Sequence, residues 1–443
     1  MRRIAHALKS YAGAKPEELQ NGVIQIADVP ERLKYLFILC LGLLLTLLAF
    51  AFNTPGEILA GSIVILTSPA NLLTDYFQLA NIGATLANAG LMTLLSLFIV
   101  RLGKASITGP VIAAICTVTG FSFFGKNLYN SLPIMLGVFC YSKAMRQPFG
   151  NFLSPCLFGT ALSPLVSEFS FNIGLPLFPS LMLGIASGLA VGFVLPPLSA
   201  HFLRFHQGFS LYNTGFTAGI IGMVFMAVLR GFGVEINTVS ILSKGHNLAF
   251  SMFLYGLSVL LLLFGFKINR WKITGFGRLL AKPGILPSDF MKDSGTGLTL
   301  INMALLGFIA TTYVLILGGE LNGPVIGGIF TVVGFGAYGK HIRNVIPVLA
   351  GVFLVNLFNI HDAASSFSLM AALFGTTLAP VAGRYGALAG IFAGILHMSL
   401  VTNIGFLHAG MNLYNNGFSG GFIAAVLCPI FDAMGQMKQS WKK

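Results

Sequence analysis

A chain of 443 residues with 55% hydrophobic and only 9% charged residues cannot build an ordinary soluble surface, of which about 25% would be charged. Its 26 Lys and Arg against 13 Asp and Glu leave a net charge of +13. No basic and aromatic patch stands apart from apolar segments, so this excess reads as loops facing the cytoplasm and anionic lipid headgroups, with no nucleic acid as partner.

In chain order, residues 1–34 form a polar, basic leader in which Arg2 and Arg3 are not followed by an apolar run, so no cleavable secretory signal is expected. Residues 35–52 are long and apolar enough to cross roughly 30 Å of hydrocarbon. Residues 53–78 are less apolar, and 79–100 predict a second span. Residues 108–124 and 131–141 are shorter and contain Gly or Pro; 149–171 is broken by Pro155, Gly159 and Pro164. Spans follow at 175–198 and 208–229. The five cysteines (Cys40, Cys116, Cys140, Cys156, Cys428) lie in apolar runs without metal-ligand spacing and predict packing, with neither disulfides nor a metal site.

From residue 249 the order repeats. Gly109-Pro110-Val111-Ile112 returns as Gly323-Pro324-Val325-Ile326, shifted by 214, and 16 of the 32 positions from Gly109 to Cys140 are identical. The matches include Thr117/Thr331, Gly120/Gly334, Gly125/Gly339, Lys126/Lys340, Asn130/Asn344 and Pro133/Pro347, which general apolarity does not produce. Asp75, Gly83, Thr85 and Asn88 match Asp289, Gly297, Thr299 and Asn302. Phe158-Gly159-Thr160-Ala161-Leu162-Ser163-Pro164 matches Phe374-Gly375-Thr376-Thr377-Leu378-Ala379-Pro380. Leu211-Tyr212-Asn213-Thr214-Gly215-Phe216 matches Leu413-Tyr414-Asn415-Asn416-Gly417-Phe418 at an offset of 202, which leaves about fourteen extra residues in the first copy, expected near 167–180. The domains predicted are the leader 1–34, a first membrane repeat 35–246, a second repeat 247–434 and a tail 435–443.

The charge bias flips between equivalent loops. Residues 53–78 contain no Lys or Arg, whereas 267–292 contain Lys267, Arg270, Lys272, Arg278, Lys282 and Lys292. Arg101 and Lys104, like Lys143 and Arg146, correspond to stretches of the second copy without basic residues. Positive residues mark cytoplasmic loops, so the copies have opposite orientations and each crosses an odd number of times. The fold class expected is an all-α integral membrane protein with two inverted-topology repeats of about five transmembrane helices each, with re-entrant or broken helices. Both termini are expected in the cytoplasm and the protein in the cell membrane.

Inverted repeats place sites near the midplane, lined by discontinuous helices. The candidate solute-binding residues are therefore the polar groups matched in the interrupted segments: Asn213, Asn415, Tyr212, Tyr414, Thr160 and Thr376. Each Asn offers a donor and an acceptor to a neutral polar solute, or caps a half-helix; each Thr presents a hydroxyl or bonds back to its own helix. No basic or acidic pair occurs in these elements, which favours a neutral or weakly polar solute. His206 and His408 are expected at solvated interfaces, as are Glu168 and Asp362, and Lys126 and Lys340 are expected to snorkel or mark interfaces. His397, without a repeat partner, is the intramembrane candidate for proton coupling. Gly334-Phe335-Gly336-Ala337-Tyr338-Gly339 fits G-x-G-x-x-G but lacks a βαβ context, and Ser122 replaces its middle glycine in the other copy. Catalytic residues and cofactors are not expected.

The repeated Gly-Pro-Val-Ile and Leu-Tyr-Asn-x-Gly-Phe elements resemble those of a bacterial family of multipass proteins built from a tandem domain of unknown function. More remotely, Leu211-Tyr212-Asn213-Thr214-Gly215 and its copy are similar to the glycine-aromatic-Asn-Gly elements of urea transporters, although that family's Asn-Pro-Leu-x-Gly signature is not reproduced. The second resemblance implies two inverted halves of five spans, each with a re-entrant helix. The function expected is a transporter or channel for a small solute, not an enzyme, with membrane lipids as further partners and homo-oligomerisation left open. The alternatives are a membrane-embedded enzyme acting on a lipid, or a structural or signalling multipass protein without a pathway.

Overall fold

The computed structural model describes residues 29–70, 73–234, 240–358, 361–410, 412–413 and 415–440. Repeat one contains α1 (Glu31–Leu48), α2 (Pro55–Thr67), β1 (Leu73–Thr74), α3 (Tyr76–Leu79), α4 (Ile82–Leu102), α5 (Gly109–Phe121) and α6 (Leu128–Ala144). It continues with α7 (Leu153–Gly159), α8 (Ser163–Phe171), α9 (Leu177–Phe202) and α10 (Asn213–Gly231), followed by β2 (Ser240–Ile241). Repeat two has α11 (Asn247–Ile268), α12 (Phe276–Leu280), α13 (Phe290–Ser294), α14 (Thr296–Ile316), α15 (Gly323–Phe335) and α16 (Ile342–Phe358). It closes with α17 (Ser366–Gly375), α18 (Ala379–Tyr385), α19 (Ala387–His408) and α20 (Asn415–Ser440). Every helix of the first copy thus recurs ten labels later.

Among the described residues, 10 segments are long and apolar enough to cross a membrane. They are α1, α4, the broken α7–α8, α9 and α10, and their five counterparts. The chain is a multipass membrane protein. Its outermost span, Glu31–Ala51, has 17% of its apolar window buried, whereas the broken Ser366–Tyr385 has 83%. Both interrupted spans, Phe149–Phe171 at 67% and Ser366–Tyr385 at 83%, are packed in protein, where their free polar groups find partners.

Helices α5 and α15 carry the inversion. Gly109 lies against Ala337, Gly334 against Ala113, Gly120 against Gly327, and Gly323 against Phe123, so two helices of homologous sequence run antiparallel. A Cβ built on Gly120 falls 2.8 Å from the Gly327 carbonyl oxygen, and one on Gly327 falls 2.7 Å from that of Gly120. Glycine is required because backbone touches backbone there. Each helix also starts on an acid of the other repeat: Gly109 N–H donates to Asp289 Oδ1 at 3.1 Å, and Gly323 N–H donates to Asp75. Asp75 accepts further bonds from Phe77 N–H and from Ser243 N–H and Oγ–H. The parallel pair β1–β2, Leu73 with Ser240 and Thr74 with Ile241, fastens the link between repeats to the first of them.

The fourteen extra residues of repeat one are not confined to 167–180. They are spread over α8, the turn that follows, a longer α9 and the loop 203–212.

Candidate functional site

The breaks after α5 and α15 build the site. Gly125 and Gly339 take positive φ of 71° and 119°, which turns the chain back toward α6 and α16 at no Cβ cost. Helix ends expose carbonyls that need partners. Asn88 Nδ2 donates to the carbonyls of Ser122 at 2.7 Å and Lys126 at 2.8 Å; Asn302 Nδ2 donates to those of Gly336 at 2.8 Å and Lys340 at 2.7 Å. Asn130 and Asn344 close Gly125 and Gly339 in the same way. With the turn held by amides from neighbouring helices, the side chains of Lys126 and Lys340 point inward.

Both lysines are 0% exposed, contrary to the expectation that they snorkel. The turn is enclosed on all sides, so no path to the headgroups is open to a four-carbon stem. Lys340 Nζ donates to Tyr212 Oη and to Thr376 Oγ1, each at 2.6 Å, and lies 4.6 Å and 5.1 Å from the ring centroids of Tyr212 and Phe335. Lys126 Nζ lies 4.8 Å from the Phe121 centroid and has no hydrogen-bond partner among the described residues. Neither lysine joins the ion pairs found among the described residues.

Rings from both repeats connect the two lysines. Phe121 meets Phe374 at 5.4 Å, Phe374 meets Tyr212 at 6.3 Å, Tyr212 meets Phe335 at 4.7 Å, and Phe335 meets Phe158 at 5.5 Å between centroids. On the Lys340 side this wall closes a cavity of about 270 Å³ lined by Phe158, Ser199, Tyr212, Asn213, Thr214 and Phe335, with Asn151, Leu203 and Pro287 at its rim. Those rim residues belong to the loops that carry Arg146, Arg204 and Lys282. A second cavity, of about 240 Å³, runs between α1, α11 and α14 and is lined almost wholly by apolar side chains such as Phe37, Leu257 and Phe264; it has the chemistry of a lipid chain and lies away from the lysines.

Of the residues singled out from sequence, Tyr212 and Asn213 line the cavity, and Thr376 joins them through Lys340. Asn213 starts α10 and ties it to the end of α9: its Nδ2 donates to Ser199 O at 2.9 Å and Oγ at 3.0 Å, and its Oδ1 meets His206 Nε2 at 3.0 Å. Asn415 is 4% exposed, sits beside His408 and is not part of this cavity. Thr160 is buried and bonds back to Leu157 O at 2.6 Å, as Thr376 does to Leu373 O at 2.5 Å. Tyr414 lies outside the described residues.

Three further expectations are corrected. His206, His408 and Glu168 are buried, not solvated: His206 pairs with Asn213 at the start of α10, His408 at the end of α19 meets Gly219 O of α10 at 3.0 Å, and Glu168 accepts from Asn172 Nδ2 at 2.7 Å. Asp362 is exposed as expected. His397 bridges α19 to α20, with Nε2 at 3.0 Å from Asn416 Oδ1 and Nδ1 at 3.2 Å from Ser419 Oγ.

Sequence reasoning gave no site role to Phe335 or Ser199, assigned Lys340 to an interface, and offered Thr377 only as a further hydroxyl beside Thr376. Thr377 Oγ1 accepts from Tyr212 N–H at 2.9 Å, and its carbonyl accepts from Leu211 N–H at 3.0 Å. Ala161 O accepts from Leu413 N–H at 3.1 Å in the mirror arrangement. The Leu-Tyr-Asn segment of each repeat therefore docks on the helix break of the other. The signal was present in the matched pair Lys126/Lys340, since a lysine retained in both copies of an apolar segment needs a reason.

A family model described as protein of unknown function (DUF1576) matches residues 54–231 and again 268–433. The chain belongs to this family. Each matched stretch contains one antiparallel half-helix, one buried lysine, one broken span and one Leu-Tyr-Asn element, so the repeat found within the chain is also the unit of the family. No curated protein and no solved structure matches the chain, and the likeness to urea transporters rests on its motifs alone.

Proposed function

We propose that this protein is a transporter or channel for a small solute, without enzymatic activity, in the cell membrane with both termini cytoplasmic. The observation that carries this reading is the cavity of about 270 Å³ whose floor, Tyr212 and Phe335, comes from both inverted repeats and covers the buried Lys340. Inverted repeats with interrupted helices at their interface are an architecture of alternating access, in which related elements open in turn to the two sides. A protein that only packs helices gains nothing from leaving an amine without a counter-charge beside a cavity.

Uptake by the purified chain in liposomes tests the proposal. A panel of small solutes, with and without proton or sodium gradients, is expected to show at least one that enters faster than into protein-free liposomes. Accumulation against a gradient marks a coupled carrier, and equilibration alone a channel. Rates equal to those of protein-free liposomes across the panel refute the proposal.

A further inference from the structure

We propose that the solute is a small organic anion with one carboxylate, bound by Lys340 and Tyr212 on one side of the aromatic wall and by Lys126 on the other. This rests on the transport reading and names its substrate class. Four observations lead to it.

The first is the missing counter-charge. Lys126 and Lys340 are 0% exposed, and neither has an acidic partner within ion-pair distance among the described residues. An ammonium in a low-dielectric interior is tolerated when an anion meets it. The second is donor capacity. A lysine has three donors; Lys340 has two engaged, by Tyr212 and Thr376, and Lys126 has none engaged among the described residues. Unused donors in both copies match a carboxylate, which has acceptors only.

The third is the cavity lining. No Asp or Glu contributes to it; Ser154, Ser199 and Thr214 offer hydroxyls, Pro155, Leu203 and Leu211 offer apolar surface, and Lys340 lies behind Tyr212 and Phe335, which must shift for the amine to meet a solute there. A multiply charged inorganic anion needs more donors than this, whereas a short carbon chain ending in a carboxylate suits both surfaces. The fourth is placement. Lys126 follows the end of α5, which meets the start of α15, and Lys340 follows the end of α15, which meets the start of α5. These 13-residue helices are about 20 Å long, so the lysines stand at opposite ends of the antiparallel pair. The buried rings of Phe121, Phe374, Tyr212 and Phe335 stand between the two stations, so transfer of one anion from one to the other requires these rings to move.

The test uses full-length protein in liposomes with radiolabelled acetate, pyruvate, chloride and urea as separate probes. Acetate and pyruvate are expected to enter faster than into protein-free liposomes and to compete with each other. Lys340→Met and Lys126→Met, compared per unit of monodisperse protein, are expected to lose roughly tenfold or more of that uptake, as when one charged hydrogen-bond partner is removed. Uptake of urea or chloride without acetate or pyruvate overturns the substrate class and leaves the transport reading intact. Carboxylate uptake undiminished in a folded Lys340→Met overturns the role of the lysine. Uptake of none of the probes overturns the proposal for these anions, and the wider panel then decides separately whether transport survives. Competition in the unaltered protein decides the substrate class even where a Met variant does not fold.

Discussion

At the scale of single residues, the energetics turn on amides and amines that lack water. Asn302 holds two carbonyls of the α15–α16 turn, and Asn88 does the same for α5–α6. Leaving such groups unpaired costs about 1–3 kcal/mol. Asn302→Ala is expected to lower unfolding stability in detergent by that amount, and Asn302→Asp by more, because a carboxylate then faces two carbonyl acceptors. Equal stability of Asn302→Ala and the parent protein would show that the turn holds itself. Lys126→Met is expected to behave oppositely. It removes a buried amine without a hydrogen-bond partner among the described residues, and relieving such an unsatisfied group is expected to be neutral or stabilising by about 1–3 kcal/mol. A clear drop in thermal midpoint for Lys126→Met would mean that the amine is satisfied in the resting protein.

At the scale of elements, the contact between α5 and α15 sets how the repeats engage. The Cβ of Gly120→Ala would meet the Gly327 carbonyl at 2.8 Å, a backbone atom with no freedom to move aside. Overpacking of this kind costs about 1–3 kcal/mol. Gly256, within α11, has nothing within 4 Å of a built Cβ, and there Gly→Ala is expected to add about 0.5–1 kcal/mol through helix propensity. Thermal unfolding of the two variants side by side checks this contrast. If both shift the midpoint in the same direction, the backbone contact does not hold the repeats together. The sequence identified both half-helices from Gly-Pro-Val-Ile, but their mutual packing joins residues more than two hundred positions apart, and no local pattern encodes which glycine faces which.

At the scale of the molecule, the inversion has a direct consequence for sidedness. Gly56 in α2 and Lys272 just before α12 belong to equivalent loops, are both exposed, and lie in stretches of opposite charge bias. Membrane-impermeant thiol reagents in intact cells are expected to label Gly56→Cys, with Lys272→Cys reacting only after the membrane is opened. This comparison requires a background in which the native cysteines, two of which are exposed, have been replaced. Labelling of both from one side would contradict the orientation drawn from the basic loops.

Sequence by itself determined the membrane class, the duplication, its inversion and the positions of the broken helices. Each of these follows from composition, register or charge along the chain, which are local or periodic quantities. It also drew attention to Tyr212 and Asn213, because polar groups in matched apolar segments need partners. Only the tertiary structure decided that Lys126 and Lys340 are interior, that the Leu-Tyr-Asn segment of one repeat docks on the break of the other, and that Asn415 stands apart from the cavity that Asn213 lines. A lysine at a helix end can reach water or turn inward with equal covalent ease. The choice depends on what encloses it, and here the enclosure comes from the opposite repeat: for Lys340, Tyr212 of repeat one supplies both a hydroxyl and a ring face.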